Sequence, residues 1–87
     1  MITSHEHSDI VHIMKMNRLK LVDSDTTHFE FSGQVKDKNY QITILVVEDL
    51  PSIIIKQNET VVFTETVKSV DDLKIFLEER LYKYLDV

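Results

Sequence analysis

The sequence predicts an α+β domain: an antiparallel β-meander of three to five strands, with a short N-terminal helix and a long amphipathic C-terminal helix packed on the sheet (α-β-β-β-β-α). The stretch 40–66 holds three β-branched apolar runs separated by short polar breaks. The residues before it alternate between apolar and polar, which is typical of a strand. The residues after it repeat apolar side chains at helical spacing. We expect a flexible segment over residues 1–7 and a single domain over residues 8–87.

Composition excludes several classes of function. The chain has 87 residues, no cysteine and a net charge of −5. Disulfides and cysteine metal sites are therefore impossible. Its ten basic residues are scattered among fifteen acids, so we expect no direct nucleic-acid binding, which depends on clustered Lys and Arg. No apolar run approaches the roughly 18–20 residues that span a bilayer, and we expect no membrane contact and a cytoplasmic location.

The N-terminal third predicts one helix and one uncertain strand. Ser8 and Asp9 resemble a helix cap followed by an acid in the first turn, and the apolar spacing that follows predicts a helix over Asp9–Asn17. Leu19–Val22 alternates with basic residues, which predicts a short strand or extended segment, although helical spacing overlaps it.

The next strand is clearer, because apolar Phe29, Phe31 and Val35 alternate with polar residues. A turn is expected at Asp37-Lys38-Asn39. Facing residues of an antiparallel pair lie on the same side of the sheet. An even-length turn therefore sets Val35 against an even-numbered residue such as Ile42, and Phe31 against Ile44 or Val46.

The same parity argument predicts the two later hairpins. Around Glu48–Pro51 it sets Val46 against Ile53, and Ile44 against Ile55. Around 57–59 an odd loop or a β-bulge is needed to keep Val61 and Phe63 on the apolar face.

The last element is predicted as an amphipathic helix from Ser69 to about Leu85, because S-V-D-D resembles a capping sequence and apolar residues follow at i, i+3 and i+4. We expect it to cover one apolar sheet face. That face comprises Phe29, Phe31, Val35, Ile42, Ile44, Val46, Ile53, Ile55, Val61 and Phe63.

Four apolar residues point to the other face: Leu45, Val47, Ile54 and Val62. One interpretation is that the N-terminal helix covers them. The other is that they form a homodimer or partner interface, since exposed apolar patches of a few hundred Å² mark interaction sites. Tyr82, which lies off the apolar stripe of the last helix, is a further interface candidate.

No residue pattern predicts a catalytic, cofactor-binding or metal site. His5, His7 and His12 form the one metal-like cluster, and we expect them to be solvated and at most to bind metal weakly. His28 is expected on an exposed strand face. The sole glycine, Gly33, excludes glycine-rich phosphate loops and marks a strand bend or a close-packed neighbour.

The α–β–β–β–α order resembles that of double-stranded RNA-binding domains, whose final helix begins with basic residues that bind phosphates. Here that position reads Ser69-Val70-Asp71-Asp72, and acids there would repel phosphate. In size, acidity and element order the chain is also similar to small proteins of phages and mobile elements of Gram-positive bacteria, including some CRISPR inhibitors.

The leading functional hypothesis is a small, non-enzymatic protein-interaction module of bacterial or phage type that self-associates and binds a protein partner. One alternative is an acidic mimic of nucleic acid that inhibits a DNA- or RNA-binding protein, with acids concentrated on one face (Glu65, Asp71, Asp72, Glu78 and Glu79). Another is a small-ligand binder, which requires a pocket with convergent polar groups.

Overall fold

The computed structural model describes residues 2–85. Its five strands form one antiparallel sheet in the order β1-β2-β3-β4-β5, so each strand lies beside its neighbours in the chain. This confirms the predicted α+β class and the meander. The elements are α1 (Ser4–Met16), β1 (Lys20–Ser24), β2 (His28–Val35), β3 (Lys38–Val47), β4 (Leu50–Gln57), β5 (Thr60–Thr66), α2 (Val70–Glu79) and a 3₁₀ turn (Leu81–Tyr84).

Three of the hairpins turn in two residues, and both turn residues are left-handed. The φ angles are 50° and 69° at Lys36-Asp37, 53° and 63° at Glu48-Asp49, and 49° and 71° at Asn58-Glu59. Positive φ at both central positions defines the type I′ turn, whose twist matches that of the strands. The turn predicted at Asp37-Lys38-Asn39 is therefore one residue too late.

These tight turns correct the predicted register of β2 on β3, although the parity argument holds. Phe31 pairs with Ile42, rather than with Ile44 or Val46. The predicted register is wrong because the turn was placed one residue too late along the chain, which shifts every pair by at least two residues. Since the shift is even, no side chain changes face.

The β3–β4 register is corrected in the same way. Ile44 pairs with Ile53 instead of Ile55, and Val46 pairs with Pro51. The loop was predicted to have four residues and has two, Glu48 and Asp49. Because the difference is even, the apolar side chains stay on the same face of the sheet.

The predicted β-bulge in the last hairpin is confirmed. Phe63 faces Ile55, but Val61 faces Lys56, which leaves Val62 as the extra residue on β5. Because of this shift, Val61 lies on the same side as Lys56 and is 52% exposed. Its predicted place in the core is therefore wrong.

The N-terminal helix begins at Ser4, five residues before the predicted start at Asp9. Thr3 caps it: the Glu6 backbone N–H donates to Thr3 Oγ1 at 3.1 Å, and the Thr3 N–H donates to Glu6 Oε1 at 2.9 Å. This reciprocal pair is a capping box. Residues 2–7, predicted to be flexible, thus contain the cap and first turn of α1, and Ile2 is buried.

The C-terminal helix is shorter than predicted. α2 has 10 residues and ends where Arg80 adopts φ −123° and ψ −21°. The chain then tightens into the 3₁₀ turn, which explains why Leu81 and Leu85 are buried as their spacing predicts even though α2 stops at Glu79. Ser69 caps α2 as predicted, accepting the Asp72 N–H at 3.1 Å.

Both helices lie on the same face of the sheet. Ile10 and Met14 of α1 belong to the same buried cluster as Phe29 of β2 and Leu73 of α2. The interpretation in which α1 covers the second sheet face is therefore wrong. The sheet is covered on one side only, and the molecule has two layers.

The connection from α1 to β1 explains the close approach predicted at Gly33. Arg18 has φ 65°, which reverses the chain after α1. A Cβ on Gly33 would meet the backbone oxygen of Arg18 and would lie 2.9 Å from Leu19 Cδ2. Only glycine fits this packing, so Gly33 marks a close neighbour.

Candidate interaction surface

The sheet face opposite the helices, called the outer face below, carries the candidate site. It consists of the side chains that alternate with the buried residues of β2, β3 and β4, together with the residues that pair with them on β1 and β5. It contains Lys20, Asp23, His28, Glu30, Ser32, Gln34, Asn39, Gln41, Thr43, Leu45, Val47, Leu50, Ser52, Ile54, Lys56, Val61, Thr64 and Thr66.

The structure brings three of the five predicted interface residues onto this face. Leu45 is 37% exposed and Val47 is 65% exposed, while Ile54 is half-buried between its strand neighbours. A solvated face of an antiparallel sheet is usually polar. The apolar residues at these positions depart from that pattern.

The other two candidates are not among these paired residues. Val62 is the bulge residue at the β5 edge and is 44% exposed. Tyr82 lies in the 3₁₀ turn after α2, in the helix layer, and is 48% exposed. The outer face therefore does not include Tyr82.

Sequence reasoning missed two members of the outer face, Leu50 and Val61. Leu50 was assigned to a turn, but it pairs with Val47. These two residues extend the apolar strip formed by Leu45, Val47 and Ile54 to the end of the hairpin. A two-residue turn at Glu48-Asp49 sets Leu50 directly opposite Val47, so this assumption would have placed Leu50 on the outer face. Val61 was placed on the wrong side of the bulge.

The charges on the outer face balance. The outer face has two positively charged residues, Lys20 and Lys56, and two negatively charged residues, Asp23 and Glu30. These four are its Lys, Arg, Asp and Glu residues. His28 Nε2 lies 3.5 Å from Glu30 Oε1. A hollow of about 100 Å³ lies in the middle of the face, lined by residues that include Glu30, Gln41 and Lys56. The face thus combines an apolar strip with a small, charge-neutral polar centre.

His5, His7 and His12 were expected to be solvated, and for His7 this expectation is wrong because its side chain is half-buried. The His7 ring packs on Phe29 with centroids 4.9 Å apart, and His7 Nε2 is hydrogen-bonded to Ser24 Oγ at 3.0 Å. His5 Nε2 lies 3.5 Å from Asp9 Oδ2. Within residues 2–85, no three His, Cys, Asp or Glu side chains are grouped so that they could hold a metal ion.

The helix layer carries both signs of charge. Lys74 Nζ lies 3.4 Å from Asp9 Oδ2 and 3.9 Å from Asp71 Oδ1. Arg80 Nη1 lies 3.9 Å from Glu65 Oε2. Two of the five acids proposed for a nucleic-acid mimic, Glu65 and Asp71, therefore lie within 4 Å of a basic group.

Comparisons with known proteins found no match among family models, curated proteins or solved structures. Across the described residues, the helices are too short or too polar to cross a membrane.

Proposed function

We propose that this chain is a small, non-enzymatic protein-interaction module that self-associates through its outer face. The observation that carries the proposal is the placement of both helices on one side of the sheet, which leaves Leu45, Val47 and Ile54 outside the core. Burial of such apolar area is the main driving force of protein association.

A second copy of this chain is the occupant that the charges favour. The chain as a whole carries −5, so two copies repel each other at most orientations. The outer face has two positive and two negative side chains, and an approach through it avoids that repulsion. A two-fold arrangement then sets the same patch against itself.

The area suits a weak dimer. Strands of about eight residues at roughly 3.3 Å per residue, with four strand spacings of about 4.8 Å, give a footprint of about 500 Å² per copy. The two copies together bury about 1,000 Å², the lower limit for a specific interface. We therefore expect self-association that depends on protein concentration.

The test is particle mass by sedimentation or light scattering over a wide concentration range. The wild type is expected to exceed the 10.2 kDa mass of one chain, and L45K/I54K to reduce the mass, because two lysines on each copy repel across the interface. Met16→Lys is the matched control, since Met16 is apolar and 74% exposed but lies on α1. Equal masses for wild type and L45K/I54K at every concentration contradict the proposal.

Neither alternative function has comparable support. A nucleic-acid mimic needs a face of uncompensated acids, whereas Lys74 and Arg80 lie within ion-pair distance of acids around α2. A small-ligand binder needs an enclosed site with convergent polar groups. A hollow of about 470 Å³ beside α1 is bordered by the exposed Met16.

A further inference from the structure

The β5 edge of the sheet differs from the β1 edge. β1 has five residues, a register shift and the charged residues Lys20 and Asp23 on one face, all of which protect a sheet edge from pairing. β5 has seven residues, of which Glu65 is the one charged residue. Its bulge at Val62 is confined to the first half, and the residues from Phe63 to Thr66 pair regularly with β4.

Apolar and charged side chains together line the β5 edge on the helix side. A hollow of about 380 Å³ lies between β5 and α2, and its lining includes Ile75 and Phe76. Ile75 is 52% exposed. The Phe63 ring stacks on Phe76 with centroids 5.4 Å apart and is tilted against Tyr84 at 4.2 Å, which packs β5 against the helix layer.

Two acidic and two basic residues line this hollow: Glu65, Lys68, Asp72 and Arg80. Asp72 and Arg80 both line it, and they lie four residues to either side of Phe76, on one face of the helix. The Arg80 guanidinium is held over the Phe76 ring at 5.0 Å, close to Glu65. Two α2 helices that run antiparallel about an axis beside Phe76 would set Asp72 of each copy opposite Arg80 of the other.

We propose that a second copy pairs its β5 with this β5, edge to edge and antiparallel, to form a continuous ten-stranded sheet. The helices of both copies lie on the same side of the joined sheet only if odd-numbered residues of one β5 face odd-numbered residues of the other, and even-numbered residues face even-numbered ones. If the two-fold axis passed beside Glu65, the Glu65 carboxylates of the two copies would face each other and repel. Placing the axis beside Thr64 opposes two threonines, a favourable cross-strand pair.

The helix spacing agrees with this arrangement. α2 lies against β4 and, through the Phe63–Phe76 stack, against β5. If each α2 sits above the space between these strands, two strand spacings of about 4.8 Å separate the helices. The resulting distance of about 10 Å is typical of packed helices, and it brings the two Ile75 side chains into the hollow.

The edge pairing uses the backbone of β5 and the side chains of α2, whereas the outer-face proposal rests on Leu45, Val47 and Ile54 of β3 and β4. Separate variants can therefore test the two proposals independently. With both surfaces in use, each copy joins two others, so assemblies larger than a dimer form, and L45K/I54K leaves the edge-paired dimer. Asp72→Arg in that background sets two arginines against each other and is expected to give monomers. Adding Arg80→Asp reverses both charges of the pair and is expected to restore the dimer.

Particle mass across concentration measures each step, and circular dichroism of each variant checks that the fold is retained. Asp72→Arg alone, in the wild-type background, is expected to reduce the mass to that of the outer-face dimer. A monomeric L45K/I54K at every concentration overturns edge pairing while supporting the outer face. A mass unchanged by Asp72→Arg, or a loss that Arg80→Asp does not reverse, also overturns it.

Discussion

Tyr40 places a polar hydroxyl group inside the apolar core. The residue is 1% exposed, and its hydroxyl oxygen is buried without a hydrogen-bond partner among the described residues. A buried polar group that lacks a partner costs about 1–3 kcal/mol of desolvation. The aromatic ring therefore stabilises the core while the hydroxyl opposes it.

Tyr40→Phe is consequently expected to raise the free energy of unfolding by about 1 kcal/mol, measured by urea denaturation. Tyr84→Phe is the matched control, since Tyr84 is half-buried and its change should stay within about 0.5 kcal/mol. A loss of stability in Tyr40→Phe would show that the hydroxyl has a partner in solution.

Asp25 organises the β1–β2 connection. Its Oδ1 accepts the Thr27 backbone N–H at 2.8 Å and the Thr27 hydroxyl at 3.1 Å, and the backbone hydrogen bond is the main cause that lowers the pKa of Asp25 below its ordinary value of 3.8. A carboxylate with a lowered pKa stabilises the folded state above the unfolded pKa, and this contribution is lost as the pH falls through the folded pKa.

The stability gap between wild type and Asp25→Ala is therefore expected to be largest near pH 6 and to close as the pH falls below 4. Thermal unfolding across this range measures it. A gap that stays constant with pH would mean that the turn depends on the shape of the side chain rather than on its charge.

At the scale of elements, the three type I′ turns carry a conformational cost. Each places two non-glycine residues at positive φ, a region that costs L-residues roughly 1 kcal/mol or more. Glycine adopts it freely. The turns are nevertheless tight, because their twist suits the strands that they join.

Glu59→Gly creates Asn-Gly in the β4–β5 turn, where Glu59 has φ 71°. We expect a gain of about 0.5–1 kcal/mol in unfolding free energy, the relief of left-handed strain less the entropy of the added glycine. Thr60→Gly, one residue later in β5, is the control and should be destabilising. Equal losses in both variants would contradict the turn assignment.

The sequence predicts the strands well because alternation is a local property. It also predicts the bulge, since Ile55 and Phe63 cannot share a face with a two-residue turn in regular register. The exact pairings were missed because non-glycine I′ turns leave little trace in a sequence. The capping box at Thr3 and Glu6 was present in the sequence but was overlooked within a polar N-terminal segment.

The side of the sheet that α1 occupies could not be predicted. It depends on the reversal at Arg18 and on the contact of Leu19 with Gly33, and neither changes the apolar pattern of α1. The candidate site depended on this point. Parity placed Leu45, Val47 and Ile54 together, but only the position of α1 shows that they are exposed.

For the whole molecule, self-association predicts a stability that depends on concentration. A partner that binds only the folded state adds about 2.7 kcal/mol at 100 times Kd. The Tm of the wild type should therefore rise by several degrees over a hundred-fold range of protein concentration. A smaller rise in L45K/I54K is expected, and a wild-type Tm independent of concentration would contradict self-association.

The consecutive strand order also determines how the chain can fold. Every strand pairs with a neighbour in sequence, so each hairpin closes only a short loop and costs little loop-closure entropy. The docking of α1 on α2 is different, because Asp9 and Lys74 are 65 residues apart. We expect the hairpins of the sheet to form one after another. The docking of α1 against α2 is expected to be the slow step that sets the folding rate.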